Sequence, residues 1–262
     1  MTPNPKQASI AIFRHRLIRN LAAIILVMTS AHLVTEWART RMGISGGMGL
    51  INLFALQEEA NLPTIYSSFQ LLMASVLLVW VSVISSQRGE RFARHWKGLA
   101  AVFLYLAVDE SAKLHELSIM PVLHLIDGHA TGILYWPWVI PGMMFVMFLA
   151  VIYLRWFIAL EPATRRVFLI AGILFVGGAL GVEMAGASHV QIHGTENYTY
   201  SILVWLEETC EMTGVLVFIH GLLAHIQKFG GGLQLTISST QAGRADGPLC
   251  PAKAPGLVPG SN

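Results

Sequence analysis

Six apolar stretches, each near the length of about 20 residues that a bilayer crossing needs, leave this chain few ways to fold. They fall at residues 17–37, 65–86, 98–119, 134–157, 166–188 and 201–226. Backbone in hydrocarbon must satisfy its own hydrogen bonds, so apolar runs of this length become helices. Only 12% of the residues are charged and 54% are hydrophobic, where a soluble domain carries about 25% charge. The expectation is an all-α fold: a six-helix transmembrane bundle whose first partner is the lipid bilayer. Residues 1–16 form a cytoplasmic N-terminal segment and 17–228 the transmembrane domain. Residues 229–262, rich in Gly, Pro and Ser, read as a disordered cytoplasmic tail.

Lysine and arginine orient the bundle. With the N-terminus cytoplasmic, fourteen of the seventeen fall on the inner side, and Arg39, Arg41 and Lys113 fall outside. Both termini are then cytoplasmic. Tyr66, Tyr135, Trp136, Trp138, Tyr198 and Tyr200 collect at the outer interface, as an aromatic belt does. Two readings fit the N-terminus. Arg14 to Arg19 ahead of an apolar run and Thr29-Ser30-Ala31 has the order of a cleaved secretory signal. The run continues to Trp37, which favours an uncleaved first helix. The net charge of +2 is too small to mark a nucleic-acid partner.

The acids are distributed the opposite way. Of fifteen Asp and Glu, only Glu90, Glu161 and Asp246 fall inside. The segment LEETCEM, residues 206–212, puts Glu207, Glu208 and Glu211 within an apolar stretch. Counted at 1.5 Å per residue, they lie roughly 9–15 Å from its start. Asp109 sits about 16 Å into the third stretch by the same rise. Each such ionised group costs about 2.5–3.5 kcal/mol at the bilayer centre, so it faces the bundle interior. On a helix Glu207, Glu208 and Glu211 span an arc of about 100°, and Asp109, Glu110, Lys113 and Glu116 one of about 120°. His32 and Glu36 share a face of the first helix, and Glu183 adds a carboxylate from the fifth. Glu58, Glu59, Asp127 and Glu196 read as solvated loop residues. Eight intramembrane carboxylates against Lys113 need protons, a bound cation or water to balance them.

The candidate site is therefore Asp109, Glu110, Glu207, Glu208 and Glu211, ringed by His32, Glu36, His115, Glu116 and Glu183. Its ligand is a small cation or proton, or a divalent metal such as Zn, Fe or Mn bound by carboxylate and imidazole. Its mouth faces outward. VDESAKL (108–114) and LEETCEM match position by position in residue class, on helices expected to run in opposite directions. A three-plus-three inverted repeat gives that arrangement. His115-Glu116 opens a zincin-like HExxH, but position 119 is Ile, so the second ligand is missing. No Glu-x-x-His pair, P-loop or CxxC occurs.

FLYLAVDESAKLHE, preceded by FALQEEANLPTIYSS, resembles a group of uncharacterised bacterial multi-pass inner-membrane proteins that carry a Leu-Asp-Glu…Leu-His-Glu helix. Val108 stands here before the acid pair. The resemblance implies a bacterial inner-membrane location and a shared fold, and carries no activity. Three classes of function stay open: a proton- or cation-coupled transporter, an intramembrane metal-dependent enzyme, and an accessory or assembly subunit of a membrane complex. A homo-oligomer or a membrane-complex partner fits each of them.

Overall fold

The computed structural model describes residues 5–42, 49–58 and 61–229, and among them the chain is helical with no strand. The helices are α1 (Pro5–Met42), α2 (Gly49–Phe54), α3 (Leu62–Gln87), α4 (Ala93–Ala112), α5 (Ile119–Leu125), α6 (Val139–Ala159), α7 (Pro162–Val176), α8 (Glu183–His193) and α9 (Tyr198–Phe229). A π-turn over Gly177–Val182 joins α7 to α8, and short 3₁₀ turns occupy Leu114–Ser118 and Gly132–Leu134. Among the described residues four helices are long and apolar enough to cross a membrane: Phe13–Arg41, Leu62–Gln87, Val139–Ala159 and Pro162–His193. The third and sixth apolar stretches form α4 and α9, of 20 and 32 residues. They have the length, and their acids lower their hydropathy. Residues 230–262 of the expected tail lie outside the described residues, and Phe229 still belongs to α9.

Local chemistry sets the helix boundaries. Asn61 caps α3 by accepting the Thr64 N–H at 3.0 Å, while its amide donates to the carbonyls of Ala55 and Glu58 at 2.6 and 2.7 Å. Pro162 opens α7 in the first turn, where a missing N–H costs nothing. Gly194, at φ +71°, stops α8, and Asn197 caps α9 by accepting the Tyr200 N–H at 2.9 Å.

Two boundaries depart from expectation. The third stretch is expected to stay helical through residue 119, but α4 stops at Ala112. Lys113 takes the left-handed conformation, φ 46°, and its N–H donates to the Asp109 carbonyl at 2.7 Å. The cause is the Asp109 carboxylate, which takes the His115 N–H at 2.7 Å and Nδ1–H at 3.0 Å. A left-handed L-residue costs about 1–2 kcal/mol, and two bonds to a carboxylate at about 1.5–3 kcal/mol each offset it. Glu116 and Lys113 thus leave the helical arc expected for them. The fourth stretch becomes helical at Val139 rather than at 134, because Pro137 disfavours helical backbone at Trp136.

The long helix α9 is the central post. Its Val215, Phe218, Ile219 and Leu222 pack with Leu78 of α3, Trp96 of α4, Trp156 of α6 and Phe168 of α7. Its Val204, Met212 and Leu216 pack with Leu21, Ile25 and Met28 of α1. Contact with α7 is backbone-close. A Cβ on Gly214 would lie 2.7 Å from the Phe175 nitrogen, and one on Gly178 would lie 2.8 Å from the Glu207 carbonyl. Small residues permit this approach between helices in lipid. The outward faces of α1 and α6 stay apolar and open, with Leu26 67% and Val151 72% exposed, as hydrocarbon-facing surfaces are.

Candidate functional site: an acid-lined cavity

Between α4, the π-turn, α8 and α9 lies a cavity of about 270 Å³. Its walls carry Asp109 and Glu110 from α4, His115 and Glu116 from the turn after it, Glu183 from the start of α8, and Glu207, Glu208 and Glu211 from α9. Eight of the ten candidate residues therefore meet in one place. Glu58, expected to be an ordinary loop acid, lines it too, as do Gln57, Thr64, Trp138 and Tyr200. No periodic signal marks Glu58; the Asn61 cap beside it brings the loop back over the cavity.

The π-turn is what aims Glu183. It widens the helix at Gly177, Gly178 and Gly181, residues that resist regular helix, and so resets the register of α8 against α7. Bulges of this kind recur at functional sites. Trp138 Nε1–H donates to Glu183 Oε1 at 3.1 Å, and Glu207 lines the same cavity. At the other wall Asp109 holds His115, whose ring sits 4.5 Å from that of Trp138. Asp109, His115, Trp138 and Glu183 form one connected rim.

Glu208 and Glu211 lie deeper. Among the described residues no donor hydrogen-bonds to either carboxylate. The ionisable groups around them are one another, Glu110, Glu183, Glu207 and Cys210. Lys113 is the fixed cation among the described lining residues, and its Nζ lies 3.2 Å from Glu116 Oε1. Among the described residues no three His, Cys, Asp or Glu side chains are placed to hold a metal ion together. The carboxylates surround a space and do not converge on a point.

His32 and Glu36 are not part of this site. The Leu56 N–H donates to His32 Nδ1 at 3.2 Å, and Nε2 faces the Ser201 carbonyl at 3.3 Å. That places the proton on Nε2 and leaves no lone pair for a metal. Glu36 receives Arg39 at 3.0 and 2.8 Å, Ser201 Oγ–H at 2.9 Å and Gln57 Nε2–H at 3.1 Å. Arg39, expected to be an outer loop charge, is its counterion. Both residues are expected from the sequence to ring the cation site. Instead they join α1, the turn after α2 and the head of α9.

A larger cavity, about 400 Å³, opens between Trp96, Trp156, His225 and Phe229. Its two acids already have partners: Glu90 accepts Ser85 Oγ–H, and Glu161 pairs with Lys228. The unmatched charge lies in the first cavity.

A family model described as a domain of unknown function (DUF8692) matches residues 20–226, a range that includes every residue of the acid cavity. No curated protein and no solved structure matches the chain.

Proposed function

The chain belongs to the DUF8692 family, and we propose that it spans a bacterial inner membrane six times and admits a cation or proton to the acid cavity from the outer side, as a proton- or cation-coupled transporter does. The carrying observation is that Glu208 and Glu211 line the cavity with no protein donor for either among the described residues. Intramembrane carboxylates are costly, and a protein that leaves them unmatched keeps them for a ligand.

The lengths of α4 and α9 and their packing inside the bundle support counting them as crossings too. The lysine and arginine bias supports termini on the cytoplasmic side. Asp109 and Glu110 from VDESAKL, and Glu207, Glu208 and Glu211 from LEETCEM, face one cavity, which supports an inverted repeat. The break after Ala112 has no counterpart in α9. A metal-dependent enzyme needs a converging ligand set, and the carboxylates here are spread around a space.

The test is flux into proteoliposomes carrying a pH-sensitive dye, paired with calorimetric titration of Mn²⁺, Zn²⁺ and Fe²⁺. Wild-type protein should carry cation-dependent proton flux, and Glu208→Gln and Glu211→Gln should each lower it about tenfold or more, as loss of a ligand in a polar intramembrane site does. Tight stoichiometric metal without flux would move the assignment to the enzyme. Neither flux nor binding would move it to the accessory subunit.

A further inference from the structure

The helices α4 and α6 touch at one end and part at the other. Near the start of α4, the Trp96 and Trp156 rings sit 4.8 Å apart, and Tyr153 Oη–H donates to the His95 carbonyl at 3.1 Å. A Cβ on Gly98 would lie 2.5 Å from the Tyr153 hydroxyl, so glycine lets the helices close there. Further along, the nearest ring contact is Tyr105 to Phe145 at 6.2 Å. The gap forms a groove of about 570 Å³ lined by Ala101, Tyr105, Pro141 and Phe145. It is open sideways, with Tyr105 45% and Phe145 38% exposed.

The groove adjoins the acid cavity. Leu106, Asp109, His115 and Trp138 line both. An apolar groove open to the flank of a membrane-spanning bundle thus shares a wall with a chamber of carboxylates. Resting on the cation reading above, we infer that the site takes a cationic amphiphile: a hydrocarbon chain in the α4–α6 groove and a primary ammonium head among Glu110, Glu208 and Glu211.

Chemistry selects this occupant. An ammonium brings three N–H donors and a positive charge, which is what Glu208 and Glu211 lack. A phospholipid head brings a phosphate, which the same carboxylates repel. A small inorganic cation fills the chamber and leaves the groove without a role. The lateral opening lets such a molecule enter from the bilayer with its chain in apolar surroundings throughout, so the head alone changes environment. His115 and Trp138 stand where chain meets head and form the threshold.

The experiment uses the full chain in lipid nanodiscs and dodecylamine carrying a diazirine near its methyl end. Labelling should map to Tyr105, Pro141 and Phe145. Unlabelled dodecylamine should displace the probe at total concentrations about tenfold or more below those of butylamine, because only the longer chain partitions into the bilayer and fills the groove. Dodecanol, with the same chain and no charge, should compete weakly. Ala101→Phe, which fills the groove from an exposed position, should cut labelling and leave Mn²⁺ titration of the acid cavity unchanged. Dodecanol competing as well as dodecylamine would overturn the inference, since the groove would then hold any lipid chain. Equal competition by butylamine would overturn it too. If inorganic cations bind and dodecylamine does not, the amphiphile fails and the cation reading stands. If nothing cationic binds, the cation reading itself fails.

Discussion

Glu36 and Glu208 are both glutamates set in long helices of one bundle, and the protein treats them in opposite ways. Glu36 is 0% exposed and takes hydrogen bonds from Arg39, Ser201 and Gln57. Glu208 faces a cavity with no donor among the described residues and other carboxyl groups as its neighbours. Burying a charge is tolerable when partners replace water and expensive when they do not. The first arrangement is what a joint needs, because α1, the turn after α2 and α9 meet on that carboxylate. The second stabilises nothing by itself, and on the proposed reading a cation would offset its cost. Position within an apolar segment therefore does not separate an acid that joins helices from one that lines the cavity; the count of donors does.

Substitutions can break this contrast. The largest effect is expected at Arg39. Arg39→Ala leaves Glu36 buried without its counterion and should cost about 3 kcal/mol, since removing one partner of a buried pair strands the other. A clear fall in melting temperature in detergent checks it; an unchanged melt would mean Glu36 does not depend on that pair. Next comes Trp138→Phe, which keeps the ring beside His115 and removes the donor to Glu183. The expected loss is about 1 kcal/mol, the ordinary worth of one hydrogen bond, together with weaker cation binding in calorimetry. The smallest effect on stability belongs to Glu208→Gln and Glu211→Gln. Each removes a charge that no donor stabilises, so the melting temperature should hold or rise, by about 1 kcal/mol at most, while cation binding falls. A destabilised Glu208→Gln protein would erase the difference between the two regions and make both acids structural.

Much of the cavity is legible in the sequence because helical periodicity is regular. Residues 207, 208 and 211 have to share a face, and a face too costly for lipid has to turn inward. Glu183 follows from the same cost, although the π-turn that aims it has no signal beyond a run of glycines. The same logic puts His32 and Glu36 at the site, and there it fails. It weighs the cost of the acid and cannot see Ser201, 165 residues away, or Gln57, which offset it. The helical arc assigned to Glu116 fails for a related reason. Asp109 draws in the backbone and ring of His115, so α4 ends at Ala112, well short of the Ile119 that closes the apolar stretch. The competing bond, not the hydropathy, decides that boundary.

Hydropathy and helical spacing by themselves determined that the described residues are helical, where among them four helices long and apolar enough to cross a membrane run, and that α9 carries a face of acids. These are local properties: each residue of an apolar run adds its own transfer free energy, whatever the rest of the chain does. The tertiary structure alone decided which acids are joints and which line the cavity. Hydrogen-bond donors reach a carboxylate from anywhere in the sequence, and Arg39 lies three residues from Glu36 while Ser201 comes from another helix. Whether a buried charge is satisfied depends on groups within about 3 Å of it in space, and distance along the chain carries no record of that.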